Sequence, residues 1–356
     1  MRPDFTQKLL DWNQHSNTRQ MPWKGEKDPY RIWLSEIILQ QTRVEQGWAY
    51  YEKFITAFPA IQDLAAADDK RIFKMWEGLG YYRRCKNLIA AARKIVNEYN
   101  GKFPDNYEAI KALPGIGPYT AAAISSFAFN EPQAVVDGNV QRVIARYFGI
   151  STPIDTTAGK KLYHSLAQAL LDNENPGIYN QAIMDFGAVV CKPQNPLCET
   201  CIQRAECEAY AHGLVQQLPV KEKAIQRKNR WFCYYIIRLH DQVYIRLRRD
   251  KDIWENLHEF VFYELQSAPE FSPAEAPFLR ELFGDQQYEV SSISRLYKQQ
   301  LTHQAITGQF IVINVDRPVP ALQDYQLVSK KELSHYAFPR LINTFLNDES
   351  SSAQLF

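Results

Sequence analysis

The sequence predicts a multidomain chain, an all-α domain followed by a smaller α+β domain. Three observations carry that expectation. The chain has 356 residues, more than the roughly 100–200 typical of one domain. Its first two thirds place apolar residues at helical spacing, as in YRIWLSEIILQQTRV and KNLIAAARKIVNEY. Its last third changes texture: WFCYYIIRL, QVYIRLRR, EFVFYEL and QFIVINV are rich in the β-branched and aromatic residues of strands. Between them lies LPVKEKAIQRKNR, with five Lys or Arg and one Glu over thirteen residues. So charged a stretch predicts a linker at 218–230. The expected boundaries are a helical domain at 1–217, the α+β domain at 231–347, and a disordered tail at 348–356.

Composition narrows the class. A hydrophobic content of 46% supports a sizeable core. A net charge of +1 does not by itself mark a nucleic-acid binder, although charges segregated onto one face are compatible with one. The start, MRPDFTQKLLDWNQ, is too polar for a secretion signal, and no apolar run approaches the roughly 18 residues of a membrane span. The expectation is a cytoplasmic protein with no membrane partner. In that reducing compartment the six cysteines need a purpose other than disulfides.

Four of them fall in CKPQNPLCETCIQRAEC, as Cys191, Cys198, Cys201 and Cys207, with the spacing Cys-x6-Cys-x2-Cys-x5-Cys. Four thiolates suit zinc or an iron–sulfur cluster. Zinc ribbons usually pair two tight knuckles, and this loop has one, so the spacing leans to the cluster without excluding zinc. Cys85 and Cys233 read as packing residues. A second motif is LPGIGPYTAAA, residues 113–123. Gly115 and Gly117 permit a sharp turn with uncovered N–H groups just before a helix, which makes a site for an anion, or simply a tight helix–helix turn. Two carboxylates stand out as well. Glu36, Gln40 and Arg43 form one polar stripe on an otherwise apolar helix, and such a stripe alone reads as a solvated face. Asp137 precedes a helix and alone reads as an N-cap.

Together the motifs carry a resemblance. The cysteine spacing resembles the 4Fe–4S loop of the endonuclease III superfamily of DNA glycosylases. LPGIGPYTAAA resembles the helix-hairpin-helix of that superfamily, and VDGNVQRV carries its Asp at the usual distance beyond. DPYRIWLSEIILQQT, with Pro22 and Trp23 upstream, is similar to the signature of MutY-type adenine DNA glycosylases.

The resemblance implies an all-α helix-hairpin-helix glycosylase domain with a 4Fe–4S loop. A six-helix module would span about 29–134, and a cluster module would combine 1–28 with 135–217. It implies that Cys191, Cys198, Cys201 and Cys207 hold the cluster and that Gly115 and Gly117 hold the DNA backbone. Glu36 would be the acid that protonates the adenine and then assists water. Asp137 would face the sugar and stabilise its developing cation, oriented by Asn139. Such chemistry parallels glycoside hydrolysis, which uses two carboxyls in different environments. The superfamily's strand-cutting members carry a Lys where this chain has Tyr119, so the resemblance implies base removal that leaves an abasic site. Tyr81 would be the wedge that fills the gap left by a flipped base, with Gln40 or Gln41 as a second probe. Arg19, Trp23 and Gln181 are further pocket candidates.

The C-terminal half resembles the Nudix-like domain of the same enzymes, with DIWENLHEFVFYE matching its turn except that Glu255 and Asn256 replace the usual glycines. The metal box of a Nudix hydrolase is absent from the sequence, so no pyrophosphate hydrolysis is expected. In this family the domain reads 8-oxoguanine opposite the adenine through a Phe-Ser-His loop, for which the chain has Leu301, Thr302 and His303. The implied partner is double-stranded DNA containing A·8-oxoguanine or A·G pairs, bound by a monomer in the cytoplasm or nucleoid. Two rivals remain. One is a pyrimidine glycosylase and lyase like endonuclease III, against which Tyr119 and the extra domain argue. The other is a non-catalytic iron–sulfur protein that binds damaged DNA, against which the pair Glu36 and Asp137 argues.

Overall fold

The structure is a computed structural model that describes residues 4–42, 44–222, 226–266, 274 and 277–348. It packs as two units, Met1–Ala66 with Lys86–Ala224, and Ala67–Cys85 with Ile225–Phe356.

Among the described residues the first unit is helical. It contains α1 (Asp4–His15), α2 (Pro29–Leu39), α3 (Val44–Ala57) and α4 (Ile61–Ala66). After α5 (Asp69–Trp76), which belongs to the second unit, come most of α6 (Arg83–Glu98), α7 (Tyr107–Lys111) and α8 (Pro118–Phe129). The remaining helices are α9 (Gly138–Phe148), α10 (Thr157–Leu170), α11 (Pro176–Val189) and α12 (Glu208–Ala211).

Three helices position the candidate site. α2 starts where Asp28 accepts a hydrogen bond from Tyr30 N at 2.9 Å and Pro29 occupies the first turn, a cap worth about 1 kcal/mol. Its Ile32, Trp33, Leu34, Ile37 and Ile38 are all buried. α8 is buried along Thr120–Ser126, and its small residues let α2, α7 and α11 approach closely. At one such approach a Cβ on Gly177 of α11 would lie 2.8 Å from Ser126 O, so only glycine fits. α9 packs on α10, α11 and α12. Phe5, Leu9, Val140, Ile144, Tyr147, Tyr163 and Phe186 form the core they share.

The second unit is built on a mixed sheet. β1 (Lys228–Leu239) lies at its centre and pairs in parallel with β7 (Gln304–Val315), with Tyr235 opposite Ile311. Antiparallel neighbours complete it: β2 (Gln242–Leu247) and β4 (Val261–Leu265) on β1, β3 (His258–Glu259) and β8 (Gln326–Ser329) on β2, and β5 (Glu289–Ile293) and β6 (Tyr297–Gln300) on β7. Tyr235, Ile237, Ile311 and Ile313 pack with Leu279 and Phe283 of α13 (Pro277–Phe283). Phe310 stacks on Phe345 of α14 (Arg340–Leu346), ring centroids 4.0 Å apart. In the 252–264 turn, Trp254 and Asn256 take the left-handed backbone, with φ of 65° and 67°. Asn is among the residues that tolerate this region best, which accounts for Asn256 where a glycine is usual.

One boundary expectation needs correction. The helical domain is not continuous through 217, because 67–85 packs with the second unit. There Lys74 Nζ donates to Tyr336 O at 2.9 Å, and the Glu77 carboxylate accepts from Phe338 N and Asn343 Nδ2, each at 2.8 Å. These bonds are made to backbone and amide groups about 260 residues downstream, which helical periodicity cannot reveal. The boundary between the two units falls within the 218–230 stretch, whose ends are tied down. Leu218 is buried, Leu218 O accepts from Arg146 Nε at 3.1 Å, Val220 O accepts from Ile154 N at 3.0 Å, and β1 begins at Lys228. Within the 348–356 tail, Asp348 accepts from Arg295 Nη2 at 2.7 Å and Tyr297 OH at 2.8 Å. The rest of that tail lies outside the described residues.

Candidate active site

A cavity of about 350 Å³ opens in the helical unit. Arg19, Met21, Trp23 and Lys24 line it from the α1–α2 connection, and Ser35, Glu36 and Leu39 from α2. Tyr119 and Phe127 come from α8, Asp137 and Asn139 from the start of α9, and Gly177, Ile178, Gln181 and Met184 from α11. Seven of the residues singled out in the sequence therefore meet here: Arg19, Trp23, Glu36, Tyr119, Asp137, Asn139 and Gln181.

Glu36 does not belong to a solvated stripe. Its residue is 8% exposed, among buried Ser35, Ile37 and Ile38. Burial pushes its pKa up to about 7, the nearby Tyr119 hydroxyl opposes that rise, and the Asp137 charge adds to it. The carboxyl can thus hold a proton near neutrality, as a general acid must. Gln40 leaves the stripe because α2 ends at Leu39; it turns inward, and Nε2 donates to Thr120 Oγ1 at 3.2 Å. Gln41 is exposed and takes the left-handed backbone at φ 59°. Arg43 lies outside the described residues.

Asp137 is a cap and something more. Oδ1 accepts from Val140 N at 2.8 Å and closes the first turn of α9, while Oδ2 accepts from Asn139 Nδ2 at 2.7 Å. Its pKa is raised by burial, against the pull of those hydrogen bonds. Asn139 Oδ1 in turn accepts from Arg142 Nη2 at 2.9 Å, and Arg142 also donates to Gly187 O and Cys191 O. Burial pushes the Tyr119 pKa well above its usual value, and the nearby Glu36 and Asp137 add to that rise. Its hydroxyl points to Met184 Sδ, 3.9 Å away. Trp23 is fixed by an edge contact with Tyr51 at 5.5 Å.

Sequence reasoning missed Asp185 and Lys24. Asp185 is fully buried and accepts from Arg19, Asn17 and Gln181, and Lys24 Nζ lies 3.0 Å from it. The available signal was a lone acid four residues after Gln181 on the apolar helix NQAIMDFGAVV.

Outside the cavity, the 113–117 turn follows α7 and opens α8. Gly115 has φ +74°, and a Cβ there would strike Asn87 at 2.5 Å, so both conformation and space demand glycine. Gly117 is the N-cap of α8, and no side chain caps the helix start. In the second unit, Tyr81 is 47% exposed on a turn between Gly80 and α6 and has φ 48°. Arg84 braces that turn through Leu79 O and Gly80 O. Leu301, Thr302 and His303 form the turn between β6 and β7, and the Thr302 hydroxyl hydrogen-bonds the Tyr81 hydroxyl.

The cysteine loop wraps one end of α9. Arg146 Nη1 donates to Cys191 Sγ at 3.5 Å, and Cys207 forms the N-cap of α12. Burial raises the Cys201 pKa to about 11, Gln203 N opposes that, and the Cys191, Cys207 and Cys198 thiols add to it. The four soft donors are thus close enough to feel each other's charge. Among the described residues no three His, Cys, Asp or Glu side chains converge tightly enough for one metal ion.

Comparison with known proteins agrees with this architecture. Residues 34–169 match the HhH-GPD superfamily base excision DNA repair protein model, and residues 233–348 match the NUDIX domain model. The chain is 36% identical over 259 residues to the adenine DNA glycosylase of Buchnera aphidicola subsp. Baizongia pistaciae, covering 72% of this chain and 73% of that one. It is 40% identical over 223 residues to the Homo sapiens adenine DNA glycosylase, covering 60% of this chain and 41% of that one. A solved thermostable thymine-DNA glycosylase is similar with a TM-score of 0.55 and 33% identity over 59% of this chain and 97% of its own. An endonuclease III–DNA complex shares the fold at a TM-score of 0.51 and 20% identity, over 60% of this chain and 99% of its own. No helix among the described residues is long and apolar enough to cross a membrane. With the hairpin, the buried Glu36 and the Nudix-like unit in one chain, and a 36% identity that covers 72% of the chain and 73% of a curated relative, the protein belongs to the adenine DNA glycosylase family.

Proposed function

We propose that the chain excises adenine paired with 8-oxoguanine or guanine in double-stranded DNA, by hydrolysis and without cutting the strand. The observation that carries this reading is the pairing in one cavity of a proton-holding Glu36 with Asp137 on the opposite element. A flipped adenine would enter the cavity, and Glu36 would donate a proton to a ring nitrogen of the leaving base. Asp137 Oδ2, oriented by Asn139, would face the sugar and stabilise the cation that forms as the bond breaks. Glu36, now ionised, would accept a proton from the attacking water. Tyr119 has no amine to attack the sugar, and the cavity amine of Lys24 is engaged with Asp185 and Arg19 O. Both facts favour release of an abasic product. The uncapped start of α8 supports a phosphate contact at Gly115 and Gly117, and Tyr81 on its glycine turn supports a wedge role.

In the same reading Cys191, Cys198, Cys201 and Cys207 hold a 4Fe–4S cluster. The donor set suits it: four thiols in one loop beside the buried Arg146, whose Nη1 donates to Cys191 Sγ. All four ligand positions are protein thiolates, so when bound the group supplies a staple for the loop and no hydrolytic site. Thr302, hydrogen-bonded to Tyr81, and His303 would read the base opposite the adenine.

The test is incubation with duplexes carrying each mismatch, followed by identification of the released base. Adenine from A·8-oxoguanine and A·G is the expected product. Release of thymine, the base in the name of the similar thymine-DNA glycosylase, would replace this reading.

A further inference from the structure

We propose that Asp185 is the positioning residue that sets the base preference of the cavity, by fixing which face of the Gln181 amide meets the base. The inference rests on the cavity being an adenine pocket. Asp185 lies on α11 and its side chain is 0% exposed. Its Oδ1 accepts from Arg19 Nη1 at 2.8 Å and from Gln181 Nε2 at 2.9 Å. Its Oδ2 accepts from Asn17 Nδ2 at 2.8 Å and faces Lys24 Nζ at 3.0 Å. Each oxygen thus meets two donors.

A glutamine amide can present either its N–H groups or its carbonyl, and by itself the two orientations are nearly equal in shape. A carboxylate only accepts. With Asp185 one helical turn away, the orientation that aims Nε2 at Oδ1 is held and the reverse places two acceptors against each other. Gln181 also lines the cavity, so the group left for the base is its carbonyl oxygen. The proposal sets the C6 edge of the base against that oxygen, where a 6-aminopurine offers an N–H and is accepted. A 6-oxopurine offers a carbonyl, which would face the Gln181 carbonyl unpaired. Sites built around one directed hydrogen bond reject the analogue lacking it far more strongly than shape alone does. Arg19 and Lys24 then act as the counter-charges that let a carboxylate remain buried at this point.

The experiment compares single-turnover release of adenine and of hypoxanthine from duplexes with deoxyadenosine or deoxyinosine opposite 8-oxoguanine. The proteins are wild type, Asp185→Asn, Gln181→Leu and the double variant, each with its melting temperature. Asn at 185 can donate as well as accept, so it no longer selects an amide orientation. The expected result is a fall in the adenine-to-hypoxanthine ratio of about tenfold or more in both single variants, with no further fall in the double variant. A purely structural Asp185 would lower the melting temperature and leave the ratio in place, which overturns the proposal. So does a further fall in the ratio when Asp185→Asn is added to Gln181→Leu. If Asp185→Asn does not fold, Gln181→Leu alone decides, since an unchanged ratio there removes the amide from recognition. Wild type releasing no adenine from any duplex would instead refute the underlying pocket.

Discussion

Glu36→Gln should raise stability and slow base release, and the pH at which each effect appears follows from one property of the site. Burial lifts the Glu36 pKa from 4.5 to about 7, with Tyr119 opposing and Asp137 assisting. At 1.36 kcal/mol per pKa unit the gap is about 3 kcal/mol. The sign is that of an acid raised on folding. Well below 4.5 the carboxyl is protonated in both folded and unfolded chains, and no penalty exists. Between 4.5 and about 7 the unfolded chain releases its proton while the folded one keeps it, so stability falls as pH rises. Above about 7 the whole cost stands. Gln cannot ionise, so the variant should match wild type under acid conditions and exceed it by up to about 3 kcal/mol in alkaline buffer. Denaturant unfolding of both proteins across that pH range measures the difference. Single-turnover excision by wild type should hold steady below about 7 and then fall, roughly tenfold per pH unit, as the acid loses its proton. The variant should be slower by about 10²-fold or more throughout. A Gln variant with no alkaline stability gain would mean that Glu36 is solvated, and near-normal excision by it would mean that another group protonates the base.

Other substitutions probe the remaining parts of the site. Asp137→Asn should leave the α9 cap largely in place, because Asn also caps, yet lower excision by about 10²-fold or more, as loss of a transition-state electrostatic partner does; unchanged turnover would remove its sugar-facing role. Borohydride should trap little enzyme–DNA adduct with wild type and somewhat more with Tyr119→Lys, and strong trapping by wild type would point to Lys24, the amine already in the cavity. Iron and acid-labile sulfide analysis of anaerobically purified protein should find both, whereas zinc without sulfide would reject the cluster. Thr302→Ala/His303→Ala should lose about tenfold or more of the preference for 8-oxoguanine over guanine while still releasing adenine from A·G, and intact discrimination would clear these two residues of the reading role.

How much of this was legible depended on whether the signal was local. The hairpin was, because Gly115 and the uncapped start of α8 are properties of five consecutive residues. The halves were, because period-2 and period-3.6 patterns are local too. Glu36 was only half legible. Its helix could be read from spacing, but spacing gave a solvated face, and the burial that raises its pKa comes in large part from α8, about 80 residues away in sequence. Asp185 was not legible as a site residue, since a single Asp on an apolar helix looks like an anomaly until Arg19 and Lys24 arrive from the other end of the chain. The 67–85 segment was hidden for the same reason, and it changes how the second unit must be tested. A chain ended near residue 225 would remove Tyr336, Phe338 and Asn343, leaving Lys74 and the Glu77 carboxylate without those partners. It would also disturb the turn that carries Tyr81. Lost discrimination in such a truncation could then arise from the wedge as easily as from Thr302 and His303. Only point changes at those two residues, which leave the Glu77 clamp intact, can assign the reading role to the β6–β7 turn.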